Sequence, residues 1–569
     1  MFKIIVNPFF GLLSNCVIVA SSFFQKLSSD CISFLVKEQS RCLKTNIFFL
    51  FISVVAMLNV LNTRAQSKPN ILIILVDDMG YSDIGCYGGE IHTPNIDKLA
   101  SGGIKFSQMY NTSKCYPTRA SLLTGAYYQR TDLDYSKTAT LGEVLQPAGY
   151  HTWWVGKNHA HFNPVTRGFE HFYGLIGPAE NHFNPFGKAV SGQPNPPIGT
   201  KTKLTWNDDL KKITPIHPKF YDTDDITNQA LKWMDESKKD TKPFMLYVSY
   251  FAPHDPLQAW PEDIAKYKGV YDSGFEAIRL ARYKRQIELG LIDPKTSRLP
   301  QFENEMDKLS KKKNKSTDTS SDEILKEAKA MEIYAAMVDR VDQNIGRMIA
   351  KLKAQGKLDN TLILFLSDNG ANAKIPNKKT EDPDAPMGSV WSSVDQGPHW
   401  ATVSNTPLRK WKQDSYEGGI ATPLIVNWPS KIQPQKEWYR EPAHLIDIMP
   451  TVLEVSGAKF PGSSKQSTIA PPDGVSLVPA FKAKSLARQK PIFFQFANGS
   501  AIRDGKWKLS RSKTQTWDLY DMSSDRTETQ NLASKYPDVV KKMDDAWLNW
   551  WKECTGSEWT GKALVDKDE

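Results

Sequence analysis

Carboxylate and amide side chains stand directly after two apolar segments, residues 71–76 and 361–366. The residues in those positions are Asp77, Asp78, Asp368 and Asn369. Oxygen donors suit Ca²⁺ or Mg²⁺, whereas Zn²⁺ prefers His or Cys. Three carboxylates packed together without a cation would repel one another and shift their pKa values strongly. One such pair is usually a turn or a helix cap, but two pairs that each end an apolar strand favour a metal site, for Ca²⁺ before Mg²⁺.

Basic and imidazole side chains follow two further apolar segments. Residues 153–155 run into Lys157 and His159, and residues 244–250 run into His254. The carboxyl ends of parallel strands lie on one edge of a sheet, where such folds bind ligands. We therefore predict that these segments, which are far apart in the sequence, converge on one crevice.

The segment from Cys115 to Gly125 has the pattern of a helix start. Pro117 suits the first turn of a helix. Cys115 then lies at the helix N-terminus, where free N–H groups and the helix dipole favour an anion. Arg119 is four residues further on, within reach of the same face. From these residues alone, a reactive cysteine with a supporting arginine and a buried cysteine with a surface arginine are equally good interpretations.

The elements that position these residues alternate between strands and helices. Apolar runs typical of strands buried on both faces of a parallel sheet occur at residues 71–76, 244–250, 361–366 and 423–428. Helical patterns lie between the strands at residues 96–100, 120–123, 140–145, 226–234 and 331–352. This alternation predicts an α/β fold in which a large mixed, mostly parallel sheet is sandwiched by helices.

The pattern changes after about residue 435. A helical segment and a Pro/Gly/Ser-rich connection lead to short strand-like pieces and a final helix at residues 492–496, 507–510, 517–520 and 537–551. We interpret this region as a smaller C-terminal α+β subdomain, with a short antiparallel sheet plus a helix. The predicted organisation is an N-terminal extension and signal peptide at residues 1–65, a catalytic domain at 66–435 and the C-terminal subdomain at 436–569.

The N-terminal segment carries export information. Residues 46–61 form an apolar run that follows Lys44 and ends in small residues at Thr63 and Ala65, the positions that a signal peptidase inspects. The run is short for a membrane span. We predict a cleaved signal, a periplasmic or secreted mature chain that begins near Gln66, and no stable membrane span after cleavage. An uncleaved anchor is the alternative. The first 42 residues are unusual before a signal peptide, and we hypothesise a true start near Leu43.

The number of cysteines and the distribution of charge argue against two classes of protein, disulfide-rich scaffolds and nucleic-acid-binding proteins. Three of the six cysteines lie in the segment expected to be removed, and the mature chain keeps Cys86, Cys115 and Cys554. Three cysteines are too few for a disulfide scaffold, and spacing alone leaves open whether Cys86 and Cys554 pair. The net charge is +9, with basic and acidic residues mixed. Nucleic acid is not an expected partner, because the sequence has neither a clustered basic stripe nor a known binding module.

Cys115-x-Pro117-x-Arg119, followed by Leu-Leu-Thr-Gly at residues 122–125, resembles the signature of the formylglycine-dependent sulfatases of the alkaline phosphatase superfamily. The resemblance covers nearly all of the mature chain and includes residues 69–78, 93–97, 156–159, 252–254, 367–370 and 407–419. Two positions depart from the family pattern. Thr118 stands where Ser is more frequent, and Asn158 stands where Trp is common.

The resemblance implies that a formylglycine-generating or sulfatase-maturating enzyme converts Cys115 to formylglycine. One hydroxyl of the hydrated aldehyde would attack sulfur, and the second would later lose a proton and expel sulfate. A bound cation would neutralise the sulfate and polarise its S–O bonds. The metal ligands implied by the resemblance are Asp77, Asp78, Asp368, Asn369 and the modified Cys115.

The resemblance also implies roles for the basic side chains. Arg119 would hold the nucleophile's oxygen and its metal environment. Lys157 and Lys412 would bind sulfate oxygens and offset charge that develops in the transition state. His159 would handle the formylglycine proton. His254 would protonate the leaving alcohol, helped by Lys412.

Two lysines compete for one of these positions. Lys410 and Lys412 both follow Arg409, and counting back from residues 416–419 favours Lys412. The substrate is expected to be a sulfated carbohydrate, an oligosaccharide derived from a polysaccharide, bound over the variable loops. The candidate substrate contacts are His182, Asp255, Trp391, His399 and Trp400, because exposed aromatic side chains often stack on sugars.

Two other functions compete with a sulfatase. The nearest is a phosphonate or phosphodiester hydrolase of the same superfamily, which a preference for phosphate over sulfate esters would reveal. The second is a catalytically silent sulfoglycan-binding protein. Silent binding would require Cys115 to remain a thiol, although the whole acid–base set is intact.

Overall fold

The computed structural model describes residues 68–131, 134–178, 181–185, 205–214, 217–301, 321–374, 385–461, 469–497, 499–512 and 516–561. The predicted signal peptide and the extension before it lie outside the described residues. Within the described part of the chain, every helix is too short or too polar to cross a bilayer.

Ten strands form the larger sheet. In chain order they are β1 (Asn70–Val76), β2 (Ile104–Tyr110), β3 (His151–Gly156), β4 (His171–Ile176), β5 (Thr205–Asp208), β6 (Lys211–Ile213), β7 (Phe244–Ser249), β8 (Thr361–Ser367), β9 (Ala421–Asn427) and β10 (Ala443–His444). Their spatial order is β10-β2-β9-β8-β1-β7-β3-β4-β5-β6. Strands β8, β1, β7, β3 and β4 are parallel neighbours, whereas β9, β5 and β6 pair antiparallel.

Helices pack on both faces of this sheet, and the last of those named next packs instead on a second, smaller sheet. In chain order they are α1 (Pro94–Ser101), α2 (Cys115–Thr124), α3 (Leu141–Leu145), α4 (Asp222–Glu236), α5 (Pro261–Ala265), α6 (Phe275–Glu288), α7 (Ser321–Ala354), α8 (Gly397–Ser404), α9 (Glu417–Ile420), α10 (Ile448–Ser456) and α11 (Pro537–Thr555). Helices α1, α4 and α7 pack in one hydrophobic cluster, and α2, α3 and α10 pack in a second. The predicted sandwich of helices around a mostly parallel sheet is confirmed.

Strand β1 shows why the centre of the sheet has an unbroken apolar sequence. Ile73 and Leu75 belong to one of the two clusters, and Ile74 and Val76 belong to the other. Successive side chains of a strand point to opposite faces, so a strand covered on both faces must be apolar at every position. The polar residues that follow β1 therefore mark the edge of the core.

A second sheet lies near the C-terminus. Its strands, β11 (Ile492–Phe496), β12 (Gly499–Asp504), β13 (Trp507–Arg511) and β14 (Asp518–Asp521), pair antiparallel in sequence order. Helix α11 packs on them, and Trp547 Nε1 donates to the carbonyl oxygen of Phe494 at 3.1 Å. The predicted short antiparallel sheet plus helix is confirmed.

Two elements differ from the sequence expectation. The apolar run at 423–428 is part of β9, but this strand is antiparallel to both neighbours. A strand buried on both faces has the same composition in either direction, so the sequence did not reveal the difference. Helix α6 was not predicted, because its buried residues include Arg279, Arg282 and Gln286 in place of an apolar stripe. Cys86 and Cys554 are free thiols in different hydrophobic clusters, so they form no disulfide.

Candidate active site

The loops after four parallel strands bring the predicted site residues together. Asp77 directly follows β1, Asp368 follows β8 and Lys157 follows β3. His254 lies on the turn beyond β7. Because these strands are parallel neighbours, their carboxyl ends form one edge of the sheet. Helix α2 approaches the same edge with Cys115 at its first turn.

Buried oxygen atoms crowd this edge. Asn369 Nδ2 donates to Asp78 Oδ1 at 2.6 Å, and the backbone N–H of Asp78 donates to Asp368 Oδ1 at 3.1 Å. Asp77 Oδ1 and Asn369 Oδ1 are buried and accept no hydrogen bond from the described residues. One ligand atom each from Asp77, Cys115 and Asp368 lies within 4.8 Å of the others. Buried polar atoms without a partner are costly, so this set of oxygen donors fits a hard divalent cation.

The pKa values of two carboxyl groups in the cluster are shifted in opposite directions. Burial raises the pKa of Asp77, but the neighbouring positive charges, Lys157 first, bring it well below its usual range. Burial and the charge of Asp77 hold the pKa of Asp368 well above its usual range. Carboxylates packed together without a cation repel one another, and a divalent ion would relieve that repulsion.

Cys115 lies where the sequence predicts it. It is the first residue of α2 and is buried, with Pro117 in the first turn of the helix. Burial raises the pKa of the Cys115 thiol, but the charges of Lys157 and Lys412 lower it by more, so that the net pKa is below the ordinary value. An electropositive helix N-terminus is the environment that activates cysteines for chemistry.

Arg119 joins the helix to the carboxylate cluster. Its Nη2 donates to Asp77 Oδ2 at 3.0 Å and to Asp368 Oδ2 at 3.1 Å, and all three side chains are buried. Nη1 donates to the hydroxyl of Ser249. The surface-arginine interpretation is therefore wrong. Ser249 was missed in the sequence, although its place at the carboxyl end of β7, shortly before His254, could have identified it.

Thr118 uses the hydroxyl group that the more frequent Ser would also supply. Its Oγ1 donates to the carbonyl oxygen of Asp368 at 2.7 Å. The same atom lies 2.9 Å from Thr112 Oγ1, which must then act as donor. The first bond attaches α2 to the residue after β8, and the second joins the helix to the segment that precedes it; both use the hydroxyl and not the extra methyl group.

Two lysines reach the cluster. Lys157 Nζ lies 2.5 Å from Asp77 Oδ2, and Lys412 Nζ lies 2.7 Å from Asp78 Oδ1. The ammonium group of Lys410 instead lies over the ring of Trp411, 5.5 Å from its centroid. Of these two competing lysines, Lys412 is therefore the one that lies beside the carboxylate cluster.

Two histidines flank the cluster. The ring of His159 lies 5.8 Å from that of Tyr116, and its Nδ1 is buried and accepts or donates no hydrogen bond among the described residues. Burial, followed by the charge of Lys157, lowers the pKa of His159 well below its usual value. His254 directs Nδ1 to the carbonyl oxygen of Asp255 at 2.6 Å, so Nδ1 is the donor. Its Nε2 lies 3.5 Å from Asp78 Oδ2.

Most of the predicted substrate contacts are engaged within the protein. His182 and Trp400 are almost fully buried, and the Trp400 ring packs on Tyr271 at 5.2 Å. The expectation that these two side chains are exposed was wrong, because both are packed in the interior. His399 stacks on Phe275 at 4.5 Å.

Asp255 also has partners of its own. Its carboxylate accepts from Asn372 Nδ2 and from Lys374 Nζ, each at 2.8 Å. Trp391 is partly exposed and stays a candidate for sugar stacking.

Comparisons with known proteins agree with this geometry. The sulfatase family profile matches residues 69–458, and a profile described as the C-terminal region of N-sulphoglucosamine sulphohydrolase matches residues 411–551. A sulfatase of Schizosaccharomyces pombe is 32% identical over 86% of this chain and 94% of its own length. An arylsulfatase of Klebsiella aerogenes is 33% identical over 75% of this chain and 95% of its own length.

A solved structure extends the comparison to the fold. The crystal structure of Ps i-CgsB in complex with k-i-k-neocarrahexaose has a TM-score of 0.61 and 25% sequence identity, covering 87% of this chain and 95% of the other. The family match spans more than half of the chain and includes every residue of the carboxylate cluster. The chain therefore belongs to the sulfatase family of sulfuric ester hydrolases.

Proposed function

We propose that this sulfatase hydrolyses sulfate esters on a sulfated carbohydrate, an oligosaccharide derived from a polysaccharide, with a formylglycine made from Cys115 and a bound Ca²⁺. The observation that carries the proposal is the position of Cys115. It lies buried at a helix N-terminus, beside Asp77 and Asp368 and near the ammonium groups of Lys157 and Lys412.

The cation would be held by Asp77, Asp78, Asp368 and Asn369, with residue 115 as a further ligand. All four protein groups offer oxygen, which suits Ca²⁺ or Mg²⁺ better than Zn²⁺; we propose Ca²⁺ first and Mg²⁺ second. Asp77 Oδ1 and Asn369 Oδ1, which accept no hydrogen bond within the described part of the chain, support this assignment. When bound, the ion would neutralise the sulfate group and polarise its S–O bonds.

The positive side chains would bind the anionic end of the substrate. Arg119 orients Asp77 and Asp368 through its hydrogen bonds and keeps the two carboxylates from separating. Lys157 and Lys412 would hold sulfate oxygens, where buried positive charge is worth more than in water. In the formylglycine form, residue 115 would supply a hydroxyl nucleophile and a second hydroxyl that allows release of sulfate.

Two histidines would move protons. Burial and the charge of Lys157 lower the pKa of His159 and keep its ring neutral, and His159 would handle the proton of residue 115 through its ring nitrogens. His254 would donate a proton from Nε2 to the departing alcohol oxygen, because Nδ1 is already engaged with the carbonyl of Asp255. Lys412, bound to Asp78 beside Nε2 of His254, would assist.

The carbohydrate substrate is supported by the complex of Ps i-CgsB with a neocarrahexaose, found in a protein with which this chain shares 25% identity. The apolar run and the small residues before Gln66 support export to the periplasm or the outside. A formylglycine-generating or sulfatase-maturating enzyme is the expected partner in maturation.

The decisive experiment is peptide mass spectrometry of Cys115 after co-expression with a formylglycine-generating enzyme. We expect the mass loss that replaces H₂S by a carbonyl oxygen at residue 115, whereas Cys86 and Cys554 stay thiols. Sulfate release from a panel of sulfated oligosaccharides should follow, and Cys115→Ala should release none. An unmodified Cys115 under these conditions would overturn the proposal in favour of a silent binder. Faster cleavage of phosphodiesters or phosphonates would favour the rival hydrolase.

A further inference from the structure

His182 is a buried histidine with two acceptors. Its Nδ1 lies 2.7 Å from Asp222 Oδ2, and its Nε2 lies 3.0 Å from the backbone carbonyl oxygen of His254. A carboxylate and a carbonyl oxygen can only accept, so both ring nitrogens must donate. His182 is therefore the protonated imidazolium form in this arrangement.

The surroundings of His182 support the charged ring. Burial lowers the pKa of His182, but the Asp222 carboxylate and the hydrogen bond to the His254 carbonyl raise it by more, so that the net pKa lies above the usual value. Asp222 is the first residue of α4, where the helix dipole stabilises a carboxylate.

The backbone of His182 is held on both sides. Its carbonyl oxygen accepts from the backbone N–H of Asp222 at 2.9 Å. Its own N–H donates to Gln258 Oε1 at 2.9 Å. Gln258 in turn donates to the carbonyl of Ser392 at 3.0 Å. These contacts fix the main chain of His182. Its side chain therefore has one available position, from which Nε2 reaches the carbonyl oxygen of His254.

We propose that His182, together with Asp222, is a positioning pair that holds the main chain of His254 so that Nε2 faces the leaving group. This inference rests on the proposed role of His254 as the acid. Two hydrogen bonds to carbonyl oxygens define the position of His254. His182 Nε2 donates to the carbonyl of His254, and His254 Nδ1 donates to the carbonyl of Asp255. Loss of the first contact would free the turn that carries the second.

Two substitutions separate the contacts of His182. Asparagine places its amide near the position of Nδ1, so His182→Asn can keep the bond to Asp222 but cannot reach the His254 carbonyl. Glutamine places its amide near Nε2, so His182→Gln can keep the bond to that carbonyl. The two variants differ in one methylene group and in which partner they retain.

The test is the dependence of kcat/KM on the leaving group, measured with matured enzyme and aryl sulfates whose phenols span pKa values from about 5 to about 10. If His254 is misplaced, cleavage of substrates with poor leaving groups should slow most, because a good leaving group departs without being protonated. We expect His182→Asn to lose about tenfold or more at the basic end of the series and less than about threefold at the acidic end. His182→Gln should lie close to the parent enzyme.

Reference variants make the outcome decisive. His254→Ala should show the steepest loss. Asp222→Asn should lie between the parent and His182→Asn, because without the carboxylate the neutral ring of His182 donates from one nitrogen only and holds the His254 carbonyl part of the time. Circular dichroism and thermal unfolding identify any variant that fails to fold, in which case His182→Gln and Asp222→Asn carry the test. An equal loss across the series in His182→Asn, with a steep profile for His254→Ala, would overturn the positioning role alone. A flat profile for His254→Ala would overturn the acid role and this inference with it.

Discussion

Lys508 Nζ lies 2.8 Å from Glu417 Oε1, and both side chains are completely buried. Lys508 belongs to β13 of the small sheet, and Glu417 begins α9, shortly after Lys412. The same ammonium group lies 2.7 Å from Glu528 Oε1, and the Glu417 N–H donates to Glu528 Oε2 at 2.7 Å. A buried charge cluster therefore attaches the C-terminal sheet to the segment that carries Lys412.

Lys508→Met should destabilise the protein strongly. Glu528 would lose its ammonium partner and Glu417 would keep the guanidinium of Arg526 but lose the lysine, and breaking a buried ion pair from one side costs about 3–5 kcal/mol. Chemical denaturation should show the loss. The surface pair of Lys541 and Asp545 offers a matched control, and Lys541→Met should leave the denaturation midpoint unchanged. Equal midpoints for Lys508→Met and the parent protein would contradict the structural role of the cluster.

Lys412 and Lys410 provide a sharp test of the site. Lys412→Ala should lower kcat/KM for sulfate ester hydrolysis by about 100-fold or more, because a buried charge near the sulfate would be lost. Lys410→Ala should change it by less than about threefold, since Lys410 lies over Trp411 outside the cluster. Steady-state kinetics on matured protein decides the matter. A reversed order would assign the sulfate contact to Lys410.

Removal of the divalent ion should abolish turnover. Treatment with a chelator is expected to lower sulfate release by about 100-fold or more, and added Ca²⁺ should restore it. Calcium at 100 times its dissociation constant should also stabilise the fold by about 2.7 kcal/mol. Asp77→Asn and Asp368→Asn should lose both responses, whereas Asp545→Asn, on the surface, should keep them. Full activity in the presence of the chelator would contradict the metal site.

Thr118 is expected to act through its hydroxyl alone. Thr118→Ser keeps the donor to the Asp368 carbonyl and should retain activity within about twofold. Thr118→Val keeps the shape but removes the hydrogen bond, and should cost about 1–3 kcal/mol of stability. Steady-state kinetics on matured protein measures the first effect, and thermal unfolding measures the second. A Thr118→Val protein as stable as the parent would show that these bonds contribute little.

His444 should make stability depend on pH. Burial, and then the charge of Arg488, lowers its pKa to about 3, while Nδ1 accepts from the N–H of Ile446 at 3.2 Å. The unfolded chain, with an ordinary pKa near 6.5, binds the proton more readily. The contribution of His444 is therefore complete above about pH 6.5 and falls by up to about 1.4 kcal/mol per pH unit as the pH drops toward 3.

His444→Asn tests this titration. The asparagine oxygen can replace Nδ1 as the acceptor, but it does not bind a proton in this range. Unfolding free energies measured between pH 4 and pH 8 should therefore fall less steeply in the variant. Parallel curves for the two proteins would show that His444 does not titrate in this way.

Much of the fold could be predicted because burial on both faces leaves a clear pattern. The runs around β1, β7 and β8 could be recognised since every position of a central parallel strand is apolar. Strand β2 was missed because it mixes polar and apolar residues, and β4 was missed because Gly174 interrupts its apolar run. Helix α6 was missed because Arg282 is buried through ion pairs with Asp83 and Glu90. A buried charged residue of this kind does not appear in a search for periodic apolar residues.

The sequence by itself determined which groups stand at the ends of the strands, and it placed Cys115 at a helix N-terminus through Pro117. These features are local, since strand composition and helix capping depend on neighbouring residues. Only the tertiary structure decided that Arg119 bridges two carboxylates, and that His182 lies behind His254 rather than at the surface. Those contacts join residues distant in the chain, and the packing of the loops, which spacing does not encode, selects each partner.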